Sequence, residues 1–177
     1  KSYGNPFRYC NANRIIGTND GGYVMIGNAS LTNWRTRDML IIRTDNLGKV
    51  IWSKTYGGGK NENWIALSET DAGDLMIVVQ TESYGEGGQD IHILKLNSSG
   101  DTIWTKTIGG NRYDYPSDII NTKPNEFIIT GTTSSYEQHY HDDDIFLLKI
   151  DGNGKVIWSK TYGGNKDESS TRVIPTK

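Results

Sequence analysis

The chain of 177 residues contains a single cysteine, Cys10, so no disulfide can form within it. That excludes the disulfide-stapled scaffolds of small secreted domains and leaves stability to a packed core. Cys10 itself, just ahead of the first apolar strand, is expected to pack as a small apolar side chain. Proline is scarce, at four residues, which excludes collagen-like and proline-rich extended chains. Neither sign of charge dominates: 19 Lys and Arg stand against 21 Asp and Glu, for a net charge of −2. No basic stripe or aromatic ribonucleoprotein motif is present, so a nucleic-acid partner is not expected. No apolar run approaches the about 18 residues of a membrane helix, and membrane insertion is not expected either. No export leader is legible; if the protein is secreted, its signal is expected to lie outside these residues. Sustained helical periodicity is also missing, which points to an all-β chain.

What the sequence has in abundance is itself. KVIWSKTYGG occupies residues 49–58 and recurs letter for letter at 155–164, with the near copy DTIWTKTIGG at 101–110 between them. Trp52, Trp104 and Trp158, like Asp38, Asp90 and Asp144, are spaced by 52 and 54 residues. The chain therefore holds about 3.4 copies of a unit of about 52 residues, and a repeat of that length is a supersecondary module stacked on its own copies.

Each unit reads as four short strands. The first is Ile-centred (14–18, 64–68, 117–121 and 171–174) and is followed by the turns TNDGG, TDAGD and TKPNE. Such residues accept positive φ or bond their own backbone, as hairpins require. The second strand is the nearly unbroken apolar run YVMIG, LMIVV or FIITG, which suits a strand covered on both faces. The third, DMLIIRT, DIHILKL or DIFLLKI, enters a tight turn that starts on Asp45, Asn97 or Asp151 and ends on Gly48, Gly100 or Gly154. The fourth alternates, with Val50, Trp52, Lys54 and Tyr56 on one face, and so reads as a half-buried outer strand.

Four antiparallel strands per module predict a β-propeller with about 3.4 blades: residues 1–5 closing one blade, then 6–58, 59–110 and 111–164, with 165–177 opening another. The alternative is a β-trefoil, which closes after three repeats and leaves the outer pieces without a place. Since propellers take about 4 to 8 blades, the chain is expected to belong to a longer propeller or to complete a ring with another chain.

The running pattern T-x-D-G-G-Y-V-x-I-G, then D-x-x-L-I-K-x-D-x-x-G-x-x-I-W-x-K-T-Y-G-G, resembles the roughly 50-residue propeller-type repeats of secreted and cell-surface proteins of bacteria and archaea. These include substrates of the outer-membrane secretion route that uses a C-terminal sorting domain. The resemblance covers essentially the whole chain, with mild departures such as Asn97 for Asp and Ile108 for Tyr. It implies an extracellular, cell-surface or periplasmic scaffold or binding module without catalysis, acting on a protein partner. A glycan-binding propeller, or part of a propeller-type glycoside hydrolase or lyase, are the alternatives.

Strand alternation puts two short turn classes at one end of the modules and two variable loop classes, 28–37 with its equivalents and 57–63 with its equivalents, at the other. Binding residues concentrate on loops held by a rigid scaffold, so the variable end is the candidate ligand surface. It carries Asn33, Trp34, Arg35, Glu62, Tyr84, Tyr113, Asp114, Tyr115, Tyr136 and Tyr140, flat apolar area beside hydrogen-bonding groups. HYHDDD, with His139 and His141 two apart, is a weak zinc candidate. Asp144 in that run has counterparts in Asp38 and Asp90, which no histidine pair precedes, and is expected to bond backbone amides or a lysine where modules meet. The Asp151–Gly154 turn lacks the terminal carboxylate of a calcium loop, and GGGK at 57–60 lacks the spacing of a phosphate cradle. No nucleophile with a base, and no cofactor motif, is legible. The repeated tryptophans are expected to pack on the next module, and Lys54, Lys106 and Lys160 to keep the outer strand from pairing edge to edge.

Overall fold

Each repeat folds into a four-stranded antiparallel meander, and three such sheets follow one another along the chain. The computed structural model describes residues 9–30, 36–135 and 142–175. The first sheet runs β1 (Tyr9–Gly17), β2 (Tyr23–Ser30), β3 (Asp38–Thr44), β4 (Val50–Tyr56). The second is β5 (Glu62–Glu69), β6 (Leu75–Thr81), β7 (Asp90–Leu96), β8 (Thr102–Ile108), and the third β9 (Asp114–Lys123), β10 (Glu126–Thr133), β11 (Asp144–Asp151), β12 (Val156–Tyr162). No helix occurs among the described residues. The sheets are separate ladders and none closes into a barrel, which is not the arrangement a trefoil requires.

The turns follow from their residues. Asp45 Oδ1 accepts the Leu47 and Lys49 amides, and Gly48, at φ +72°, returns its own amide to the Asp45 carbonyl at 3.1 Å. Asn97 and Asp151 organise the same turn, and in each sheet one register shift follows it at the start of the fourth strand. A four-residue loop closed by a left-handed glycine and a bulge is a preferred way to turn a twisted hairpin.

Packing is between sheets. Val24, Ile26, Met39 and Ile41 of the first sheet meet Leu67, Leu75, Ile77, Val79, Leu94 and Leu96 of the second. The opposite face of that second sheet, with Ala66, Met76, Val78, Ile91 and Ile93, meets Ile119, Phe127, Ile129, Phe146, Leu148 and Ile150 of the third. β6 is buried along its whole length because both of its faces are covered, which is why its sequence does not alternate. The first strands of adjacent sheets touch one another, while β12 is exposed throughout.

Three expectations are corrected. The first strands are longer than read, because their polar N-terminal residues also pair with the second strand and a bulge in each breaks the alternation that would mark them. No strand forms at 171–174, where residues 165–175 find no ladder partner among the described residues. Cys10 is exposed on β1 and does not pack inside.

Candidate functional site

The described parts of the variable loops lie at one end of the sheets, and there a device that repeats with the period joins neighbouring repeats. The amides of Glu62, Asp114 and Glu168 donate to the carbonyls of Arg37, Gln89 and Asp143 at 2.8, 2.8 and 2.7 Å. Each bond brings an acidic side chain against the aspartate that opens the third strand of the preceding repeat. The pairs are Asp38 with Glu62, Asp90 with Asp114 and Asp144 with Glu168. All three meet over the first glycine of the Y-G-G or I-G-G tract. A Cβ added at Gly109 would stand 1.9 Å from Asp90 Oδ1 and 2.9 Å from Asp114 Oδ2, and Gly57 and Gly163 are equally closed by their own pairs. Only glycine fits there.

Asp114 is the best held of these acids. It is buried, its Oδ1 accepts Thr133 Oγ1, and its Oδ2 accepts Ser135 Oγ at 2.7 Å and the Gly110 amide at 3.0 Å. Glu62 repeats the arrangement, taking Thr81 Oγ1 at 3.2 Å. Burial pushes the Glu62 carboxyl up, with Asp38 adding to the rise, while the Ser83 and Thr81 hydroxyls and the Gly58 amide oppose it. Asp90 is pushed up to about 6, first by burial and then by the charges of Asp114 and Glu86. Asp38 is raised by burial. The expectation that Asp38, Asp90 and Asp144 bond backbone amides or a lysine is therefore corrected in part: Asp90 does accept the Glu86 amide, but in place of a lysine each faces another carboxyl group.

Around these pairs lie the aromatics. Tyr84, exposed, donates its hydroxyl to the Gly57 carbonyl at 3.0 Å and stacks on His92 with 4.5 Å between ring centres. Burial holds the His92 imidazole below its ordinary value. Tyr113, the most exposed tyrosine among the described residues at 51 %, lies parallel to Tyr115 with centres 6.2 Å apart and planes within 6°. The Arg37 guanidinium sits 5.7 Å from the Tyr9 ring. Beside Tyr115 opens a cleft of about 520 Å³ lined by Asn63, Gln80, Gln89, Ser169 and Ser170 among others. Gln80 is 1 % exposed and its Oε1 has no hydrogen-bond partner among the described residues.

Of the residues singled out in the sequence, Tyr84, Tyr113 and Tyr115 are brought to one end as exposed or half-buried rings, whereas Glu62 and Asp114 lie beneath them in the junctions. Asn33, Trp34, Arg35, Tyr136, His139, Tyr140 and His141 lie outside the described residues. Among the described residues, no group of three or more His, Cys, Asp or Glu side chains is placed to hold a metal ion. Sequence reasoning missed the carboxyl pairing, although Glu62, Asp114 and Glu168 carry the 52- and 54-residue period that would have revealed it. It also missed Gln80, whose counterparts are Asn28 and Thr132, so no repeat marks it.

At the opposite end, Trp52 donates to the Ser98 carbonyl at 2.9 Å, Tyr56 to the Gly100 carbonyl at 2.5 Å, and Lys54 pairs with Asp101 at 2.7 Å. Trp104 and Lys106 repeat this against the carbonyls of Gly152 and Gly154 at 3.2 and 2.9 Å. These two lysines therefore clasp the next sheet's turn, a more specific task than guarding an edge. No family model matches the chain, and no curated protein matches it either. Among the described residues, no helix is long and apolar enough to cross a membrane.

Proposed function

We propose that the chain is a run of β-propeller blades serving as a non-catalytic binding scaffold outside the cell or at its surface, with a protein as its partner. The observation that carries the reading is the division between the two ends. One end repeats the same clasped turn, and the other holds unlike loops with exposed Tyr9, Tyr84 and Tyr113 and the Arg37 guanidinium. Rigid aromatic area beside arginine is the composition of a protein-binding surface. The carboxyl pairs weigh against catalysis, because a group repeated at each junction and bonded to its own neighbours serves the fold first. A photo-crosslinking residue at Tyr113 should capture a defined protein from the surface fraction of the producing cells, while one at Ile103 on the outer strand should not. Equal capture at both positions would refute the reading.

Glycan binding is the second reading, favoured by the parallel Tyr113 and Tyr115 rings beside a polar cleft that contains a Gln80 oxygen with no partner among the described residues. A glycan array would then give a signal that Tyr115→Ala and Gln80→Leu remove.

A further inference from the structure

The two junctions between neighbouring four-stranded sheets each leave a recess at the same place, and the two recesses differ in chemistry. The recess between the first and second sheets encloses about 500 Å³, and that between the second and third about 410 Å³. Met39, Tyr56, His92 and Leu94 in the wall of the first correspond, by the 52- and 54-residue period, to Ile91, Ile108, Phe146 and Leu148 in the wall of the second. A faithful repeat would give two apolar recesses. Tyr56 and His92 break it and make the first one polar.

The His92 ring is held from two sides. Its Nδ1 shares a 2.8 Å hydrogen bond with Thr107 Oγ1, and Tyr84 stacks on its face. With Nδ1 engaged, the nitrogen left for a ligand is Nε2. The Thr107 hydroxyl can give a hydrogen to Nδ1 or take one from it, so Nε2 donates in the first case and accepts in the second. Phe146 has no such capacity, although Thr161 stands in its recess where Thr107 stands in the first. Burial holds the imidazole below its ordinary value and so keeps it neutral near pH 7.

The charged groups in this wall are already engaged. Lys106 gives its ammonium to the Gly154 carbonyl at 2.9 Å, and Glu62, 1 % exposed, takes the Thr81 hydroxyl at 3.2 Å and faces Asp38. What remains is the neutral imidazole with the hydroxyls of Thr105 and Thr107, all able to give or take a hydrogen bond, and the Tyr56 oxygen, which donates to the Gly100 carbonyl and can still accept. Beside them Val79 and Leu94 supply apolar wall. A ligand that matches such a wall carries hydroxyl groups on a carbon frame and no net charge. We propose that this recess binds one neutral sugar residue, a hydroxyl of which exchanges a hydrogen bond with His92 Nε2 while its C–H face lies on Val79 and Leu94. The site is separate from the Tyr113 surface and from the Tyr115 cleft, so it goes beyond both binding readings and stands or falls apart from them.

The test titrates the full chain with glucose, galactose, mannose, fucose and N-acetylglucosamine in turn. Saturation-transfer NMR on the sugar measures affinity, and the imidazole nitrogen signals of His92 report where it binds. At least one sugar should bind with a Kd of about 1 mM or tighter and shift the Nε2 signal saturably. His92→Phe, which copies the second junction, should weaken that binding at least about tenfold, and so should Thr105→Val, a milder change should the first variant fail to fold by circular dichroism. Tyr115→Ala and Gln80→Leu should leave it unchanged. The proposal is overturned if no sugar shifts the Nε2 signal, if the folded recess variants bind as wild type does, or if glucuronate or glucosamine binds more tightly than every neutral sugar. Binding lost in Tyr115→Ala but kept in His92→Phe places the sugar in the Tyr115 cleft, which overturns this site and leaves the glycan reading standing.

Discussion

Replacing Asp90 by Asn should make the protein more stable at neutral pH, although it deletes a buried charge that recurs in every repeat. In the folded chain the Asp90 carboxyl is pushed from 3.8 to about 6 by burial beside Asp114. Between about pH 4 and 6 the native state therefore holds a proton that the unfolded chain has lost. Stability must fall as pH rises through that window: the favourable contribution is complete below the unfolded value and gone above the folded one. A shift of about two units corresponds to at most about 3 kcal/mol, and because solvent screens part of the charge interaction, an observed effect of about 1–2 kcal/mol is expected. Asn has the shape of the protonated acid and can donate to Asp114, so it fixes the low-pH state at all pH values. Urea melts at pH 8 should show Asp90→Asn more stable than wild type by that amount, with no gain at pH 4. A difference that is the same at both pH values would refute the raised Asp90 carboxyl.

Trp104→Ala should cost about 3 kcal/mol, because the ring packs on the core between the second and third sheets and donates to Gly152; a loss under about 1 kcal/mol by urea denaturation would contradict that placement. Gly109→Ala should cost about 1–3 kcal/mol through the clash with Asp90, while Gly59→Ala, with nothing within 4 Å of its added Cβ, should melt within a degree or two of wild type.

The architecture was legible because the repeat states each structural role more than once. Trp52 and Trp104 show the point: their spacing gave the period, and their indoles indeed reach the next repeat's turn. What a single strand cannot state is how far its pairing extends, so the polar starts of β1, β5 and β9 went unread. Their partners are supplied by the second strand and not by their own hydrophobicity. The carboxyl pairs were half legible. Asp38, Asp90 and Asp144 carried the period, but expecting backbone amides or a lysine around them followed the ordinary rule that buried charges seek donors or opposite charges, and only the amide half fits Asp90. The protein instead lowers the charge by raising an acid's pKa, a solution visible only once the next repeat's Glu62 or Asp114 is in place.

The same logic separates fold from function in this chain. A residue that recurs at every junction is explained by the junction, so Glu62 and Asp114, chosen first as surface ligands, turn out to be built into the scaffold. Specific recognition must draw on positions that break the period, because a surface of identical repeats would offer the same contact at every blade. Gln80, where the other repeats have Asn28 and Thr132, breaks it inside a cleft, and Tyr113 with Tyr115 at the start of β9 breaks it at that cleft's edge. Periodicity thus hides function in proportion as it reveals the fold, and the places where the repeat fails are where a partner has something distinct to read.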